Sequence, residues 1–162
     1  MSDIEKTVTV LHTSDWHLGR MLYEKKRYDE HDAFLAWLLK QIRDYRVDVL
    51  VVAGDIFDTT TPSHRAQAQY YGFLRDLRQT GCAHVVLIAG NHDSPTFLEA
   101  PRGLLQSMNV HVVGSISGSV EGEVLILRDQ NDRPRIIVGA VPFLRDRDIR
   151  LAQSGETLQE KE

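Results

Sequence analysis

The chain of 162 residues contains one cysteine, Cys82, so no intrachain disulfide can form, and a lone thiol suits a reducing compartment. It contains no run of about 18 apolar residues, so no membrane span is expected. The stretch from Met1 to Lys6 is polar and lacks the apolar centre of a signal peptide. These absences together point to the cytoplasm. An excess of basic charge is also missing: 19 Lys and Arg stand against 23 Asp and Glu, for a formal net charge of −4, which by itself argues against a nucleic-acid binder. No internal repeat, low-complexity tract or linker interrupts the chain. What is present is an ordinary globular mixture, 42% hydrophobic and 26% charged, long enough for one domain.

The hydrophobic pattern predicts an alternation of strands and helices. Thr7 to His12, Val47 to Ala53 and His84 to Ala89 read as parallel strands, the last two as near-continuous apolar runs of the kind covered on both faces. Between them, Phe34, Leu35, Leu38, Leu39 and Ile42, and then Tyr70, Phe73, Leu74 and Leu77, recur at helical spacing. Thr61 and Pro62 suggest the start of the second helix, as cap and first-turn residue, and Gly81 follows its last turn. A weaker helix over Phe97 to Gln106 is interrupted by Pro101. A short strand is expected at Val110 to Val113. Glu123 to Leu127 and Arg135 to Val141 flank a polar turn and read as a hairpin. The order strand, helix, strand, helix, strand implies an α/β fold with right-handed crossovers. Residues 1–150 are expected to form the folded part and 151–162 a polar tail.

Each of the three main strands runs directly into a polar cluster: Ser14-Asp15-Trp16-His17, then Gly54-Asp55-Ile56-Phe57-Asp58, then Gly90-Asn91-His92-Asp93. Ligands of open α/β sheets bind beyond the carboxyl ends of the strands, so all three clusters should meet at one crevice. Asp15 and His17 are two residues apart, and an extended backbone would point both to one side. A carboxylate beside an imidazole suits manganese, iron or zinc. Asp55 has two oxygens and could bridge two metals. Asn91 offers a neutral carbonyl oxygen. His92, one residue on, is expected to point elsewhere and could donate a proton to a leaving oxygen. Each cluster alone has an ordinary alternative: a capping pair, turn chemistry after Gly54, or a helix entry capped by Asp93 or Ser94. Their recurrence on three consecutive strand ends favours the metal reading.

D-x-H, then G-D, then G-N-H-D, is the pattern of the calcineurin-like metallophosphoesterases, a sandwich of mixed sheets flanked by helices, and the chain resembles the first half of that fold. The wider text, LHTSDWHLG at Leu11 to Gly19, VVAGDIFDTTTPS at Val51 to Ser63, TGCAHVVLIAGNHDS at Thr80 to Ser94 and VPFLRDRDI at Val141 to Ile149, is similar to the bacterial SbcD-type nucleases. The resemblance implies two divalent metal ions, manganese by preference. Asp15 and His17 would hold the first, Asp55 would bridge both, Asn91 would hold the second, and His92 would be the catalytic histidine that is not a ligand. In that chemistry two cations about 3.5–4 Å apart clamp a phosphodiester and activate water for in-line attack. It further implies DNA as substrate, cut by exonuclease and endonuclease action in repair, an SbcC-type ATPase as partner, and a homodimer, with Tyr70, Tyr71, Leu104 and Leu105 as candidates for its surface. Asp58 stands where archaeal and eukaryotic relatives carry histidine, as in the bacterial branch.

One feature of that family is missing. Its site is completed by a Gly-His motif and a later Gly-His-x-His motif. None of the seven histidines lies beyond His111, and none follows a glycine. The expectation is therefore a partial site, weakly active or inactive by itself, with a noncatalytic interaction module and a phosphomonoesterase as the competing readings. Arg20, Lys25, Lys26 and Arg27 precede the first helix, where cations are electrostatically unfavourable, which suggests contacts to DNA phosphates. His12 is expected to pack within its strand. Trp16 and Phe57 are expected to pack beneath the metals.

Overall fold

The computed structural model describes residues 7–149. The expected tail at 151–162 lies outside the described residues. The chain runs β1 (Val10–Thr13), β2 (Met21–Leu22), β3 (Lys25–Lys26), α1 (Tyr28–Asp44), β4 (Val49–Ala53), α2 (His64–Leu77), β5 (His84–Ile88), α3 (Pro95–Glu99), α4 (Arg102–Gln106), β6 (Val110–Val113), β7 (Val124–Arg128), β8 (Pro134–Gly139) and α5 (Asp146–Ile149). Four strands form a parallel sheet in the order β1-β4-β5-β6. The expected third helix is two short ones, broken around Pro101 as its fixed φ and missing N–H require.

Both faces of the sheet are covered, so its central strands are apolar throughout. On one side α1 contributes Leu35, Leu38 and Ile42, and α2 contributes Tyr70, Phe73, Leu74 and Leu77, all packed with Leu50, Val52, Val85 and Leu87. Each such side chain contributes about 1.5–3 kcal/mol by burial. Gln69 joins the helices: its amide nitrogen donates to the Tyr28 carbonyl and to Asp32 Oδ1, both at 2.7 Å. On the other side the antiparallel β7–β8 hairpin lays Leu125, Leu127, Ile136 and Val138 over Val49, Val86 and Val113. The alternate residues Val124, Ile126 and Ile137 face outward. This is the mixed α/β arrangement expected from the pattern, with helices on one face and a second, antiparallel sheet on the other.

Two local readings need correction. The cap of α2 is Ser63, whose hydroxyl accepts from the Ala66 N–H at 3.2 Å, and Thr61 and Pro62 lie ahead of it. A capping oxygen lies two or three residues before the N–H it accepts from, as the Ser63 hydroxyl does. His12 is exposed rather than packed, because among the described residues β1 is an edge strand with a partner on one side only.

The hairpin is latched to the sheet by a histidine pair. His84 Nε2 lies 2.7 Å from the Arg128 carbonyl and must donate to it, so His84 Nδ1 accepts from His111 Nε2 at 3.3 Å. Burial, then the neighbouring His84, lowers the His111 pKa below 6.5. A depressed folded value means that the unfolded chain takes up the proton first. The contribution to stability is therefore complete above about pH 6.5 and is lost as pH falls through the lower folded value. His31, buried in α1, shifts the same way through its own burial and Arg27. Melting temperature is expected to fall between about pH 7.5 and about pH 5, and His111→Gln should shrink that difference. An unchanged difference in the variant would place the acid sensitivity elsewhere.

Candidate metal centre

The strands β1, β4 and β5 are parallel and in register, so their carboxyl ends lie side by side and deliver the three polar clusters to one edge. The loops that follow are bonded to each other through their backbones. Asp15 N–H donates to the Gly54 carbonyl at 3.0 Å, His17 N–H to the Asp55 carbonyl at 2.9 Å and Leu18 N–H to the Ile56 carbonyl at 2.9 Å. Meeting those bonds forces an unusual conformation. Asp15, His17 and Asp55 have φ of 58°, 46° and 51°, the left-handed region that non-glycine residues avoid. Asp15 and His17 therefore converge through two left-handed turns and not through the extended backbone that their spacing suggested. Strain held in place at three polar residues of one edge is characteristic of functional sites.

Gly90 makes the third loop possible. A Cβ there would overlap Oδ1 and the backbone nitrogen of Asp55. Asp93 then ties the second and third loops together. It is fully buried, and its carboxylate accepts from the N–H groups of Phe57 at 2.9 Å, Ile56 at 3.1 Å and Gly90 at 2.9 Å. Burial raises its pKa, against the three hydrogen bonds that favour the charged form. The cap of α3 is instead Ser94, accepting from Phe97 N–H. Beneath the loops, Trp16 packs edge-on against Phe34 and Phe73, and Phe57 against Tyr70 and Phe97. Both aromatics are core, as expected from the sequence.

The side chains above this floor form a compact donor set. His17 Nε2 lies 3.8 Å from both Asp15 Oδ1 and Asp55 Oδ2. Donor atoms of His17, Asp55 and His92 all lie within 4.8 Å of one another. Gaps near 3.8 Å are too long for hydrogen bonds. They suit ligand atoms that each approach one ion to about 2.0–2.2 Å. His17 Nδ1 is buried and makes no aligned hydrogen bond, although Asp58 Oδ1 is only 3.3 Å away. A carboxylate behind a ligand imidazole is the usual support of a metal-binding histidine. The residues present thus fit a divalent cation. Asn91 is exposed at the same loop.

Asp58 also holds the second histidine. Its carbonyl accepts from His92 Nδ1 at 2.8 Å, while the His92 backbone N–H donates to Asp55 Oδ1 at 3.0 Å. The bond to the Asp58 carbonyl, with the Asp55 and Asp58 carboxylates, raises the His92 pKa, against burial and Arg20. With Nδ1 engaged, Nε2 is the atom left for chemistry. The His92 ring stands edge-on to that of His17 with centroids 4.9 Å apart, so it joins the cluster instead of pointing away. Arg20 Nη1 lies 3.5 Å from Asp58 Oδ1, which brings one of the four suspected cations to the rim. The roles of Asp58 and Asp93 were not readable from their spacing. A second acidic residue three places after Asp55, and another directly after His92, were the only signals available.

A groove between the β7–β8 hairpin and the amino ends of β4 and β5, lined by Asp48, Cys82, His84 and Arg128, lies at the opposite edge of the sheet and contains none of these residues.

Residues 8–151 match the calcineurin-like phosphoesterase family model. The chain belongs to the calcineurin-like phosphoesterase family. Among curated relatives, the SbcD component of nuclease SbcCD from Escherichia coli (strain K12) is 44% identical over 146 residues, covering 90% of this chain and 35% of the relative. The protein of the same name from Rhodobacter capsulatus is 41% identical over 146 residues, covering 86% of this chain and 36% of the relative. The one from Bacillus subtilis is 39% identical over 105 residues, covering 65% of this chain and 27% of the relative. The chain thus spans about a third of the length of the relatives it matches. The family fold agrees with the architecture above, and no described helix is long and apolar enough to cross a membrane.

Proposed function

We propose that this chain forms the metal-holding part of a manganese-dependent DNA nuclease of the SbcD type. The observation that carries the reading is the convergence of Asp15, His17 and Asp55, all in left-handed backbone, on one strand edge with ligand-like spacing. Asp15 and His17 would hold one cation, Asp55 would reach both and Asn91 would hold the second. Such cations, when bound, supply positive charge to a phosphodiester and make water a better nucleophile. The chain's own residues do the rest. Asp58 holds the His92 ring through its carbonyl and stands behind the His17 ring with its carboxylate, and His92 Nε2, the ring nitrogen outside that bond, would donate a proton to the leaving oxygen. Arg20, at the rim through Asp58, and Lys25, Lys26 and Arg27 in the segment that follows it would meet the DNA backbone.

The partners follow from the relatives' names and the family pattern. An SbcC-type ATPase would join the full-length protein in the cytoplasm, and a second copy would form a homodimer. Of the dimer candidates, Tyr70 and Leu105 are buried within this chain, which leaves Tyr71 and Leu104 as the exposed pair. Titration of the purified chain with manganese in a calorimeter tests the reading. Binding is expected in the parent and its loss in Asp55→Ala. A folded parent that takes up no manganese would reject it and favour an interaction module.

A further inference from the structure

The segment that carries most of the suspected cations is a two-stranded antiparallel ribbon, β2–β3, and it stands on the rim of the metal centre. Its base is closed by backbone bonds from Arg20 to the His17 carbonyl, 3.0 Å, and from Arg27 to the Arg20 carbonyl, 3.3 Å. Met21 faces Lys26 across the ribbon, and Leu22 faces Lys25, so each face presents one apolar side chain beside one ammonium group. The turn is made by Tyr23 and Glu24, both left-handed, with φ of 46° and 63°. Glycine or asparagine normally occupies such a turn. A tyrosine there gains nothing from packing, since Tyr23 is 92% exposed.

The charge of this segment opposes that of the chain. Arg20, Lys25, Lys26 and Arg27 stand against Glu24 alone, giving +3 within a molecule of −4. Arg20 is partly committed to Asp58, Arg27 to Glu30, and Lys26 lies over the Tyr28 ring at 5.6 Å. Lys25 is exposed beside the tip. An exposed aromatic ring flanked by cations fits a polyanion that also offers flat apolar surfaces, as a nucleic acid does. With about 3.3 Å per strand residue, Tyr23 lies roughly 10 Å from the ribbon's base, or about three base steps at 3.4 Å each.

We infer that the β2–β3 ribbon is a nucleobase-contacting element of this site, with the Tyr23 ring stacking on a base within about three steps of the phosphate at the metal centre. The inference rests on the nuclease reading for the position of that phosphate. Lys25 and Lys26 contact neighbouring phosphates, and Met21 and Leu22 lie against the sugar and base edges.

The test uses the 162-residue chain and a blunt DNA duplex carrying 2-aminopurine near one end, in buffer with chelator so that no cleavage occurs. The parent is expected to bind and change the 2-aminopurine emission. Tyr23→Ala should lose that change and bind about tenfold more weakly with an unaltered salt slope, while Tyr23→Trp restores both. Lys25→Ala and Lys26→Ala should each reduce the salt slope by about one. Emission and affinity in Tyr23→Ala equal to the parent's would overturn the inference. So would manganese binding by a chain that binds no DNA, which leaves the metal centre standing. Tyr23-dependent emission in a chain that takes up no manganese would support the ribbon and reject the centre.

Discussion

Asp93→Ala is expected to lower the unfolding free energy by about 3–5 kcal/mol, the largest effect of any single side-chain truncation near the site. The carboxylate is fully buried and is the acceptor for three backbone N–H groups, those of Ile56, Phe57 and Gly90. A buried donor left without a partner costs about 1–3 kcal/mol, and three are orphaned together. Entry of water would return part of that, which sets the lower end of the range. Asp93→Asn keeps one acceptor oxygen but turns an amide N–H₂ towards a donor, so it should fall between parent and alanine. Urea denaturation measures both. A loss under about 1 kcal/mol in the alanine variant would mean that the interloop bonds from Asp15, His17 and Leu18 suffice to hold the edge together.

Gly90→Ala should leave a folded protein that has lost its metal. The added methyl would occupy the space of Asp55 Oδ1 and the Asp55 backbone nitrogen. One of those atoms is a ligand atom by our reading, and it also receives the His92 N–H. Relief requires Asp55 to move, because the facing atoms are backbone and a short, already left-handed residue. Overpacking of this kind costs about 1–3 kcal/mol of stability. The effect on manganese affinity should be larger in kind, a fall of about 10–100-fold, since the shift strikes the residue expected to reach both cations. Calorimetry reads the affinity and circular dichroism the fold. Unchanged affinity would show that Asp55 is not a ligand. Gly54→Ala is a useful partner: its φ of 88° makes alanine strained, but the nearest contact there is the Gly90 backbone rather than a carboxylate. It should cost stability more than affinity.

Much of this molecule was legible before its structure. The apolar runs at Val49–Ala53 and His84–Ile88 read as strands buried on both faces, and the helical stripes between them as crossovers, and both are present. Val110–Val113 and the β7–β8 hairpin lay where the alternation put them. Parallel strands imply a common carboxyl edge, so the delivery of the loops that carry Asp15, Asp55 and Asn91 to one edge followed from strand order alone. These features depend on period and composition, which are properties of the chain read in one dimension.

Other features depend on which backbone groups meet across loops, and no spacing announces that. The left-handed turns at Asp15, His17 and Asp55 arise because the first loop must bond to the second. Asp93 is a loop clamp only because three N–H groups from two loops point at one buried carboxylate. Asp58 supports His17 through its carboxylate and His92 through its carbonyl, a double role set by the fold of a single loop. The β2–β3 ribbon escaped detection because two-residue strands carry no measurable period, and its turn uses Tyr23 and Glu24 where glycine or asparagine would have marked it. The sequence by itself determined the elements, their order and the edge where the chemistry gathers, since burial and periodicity act along the chain. Only the tertiary structure decided how the donor atoms are held and which residues hold them, since that is settled by hydrogen bonds between segments far apart in sequence.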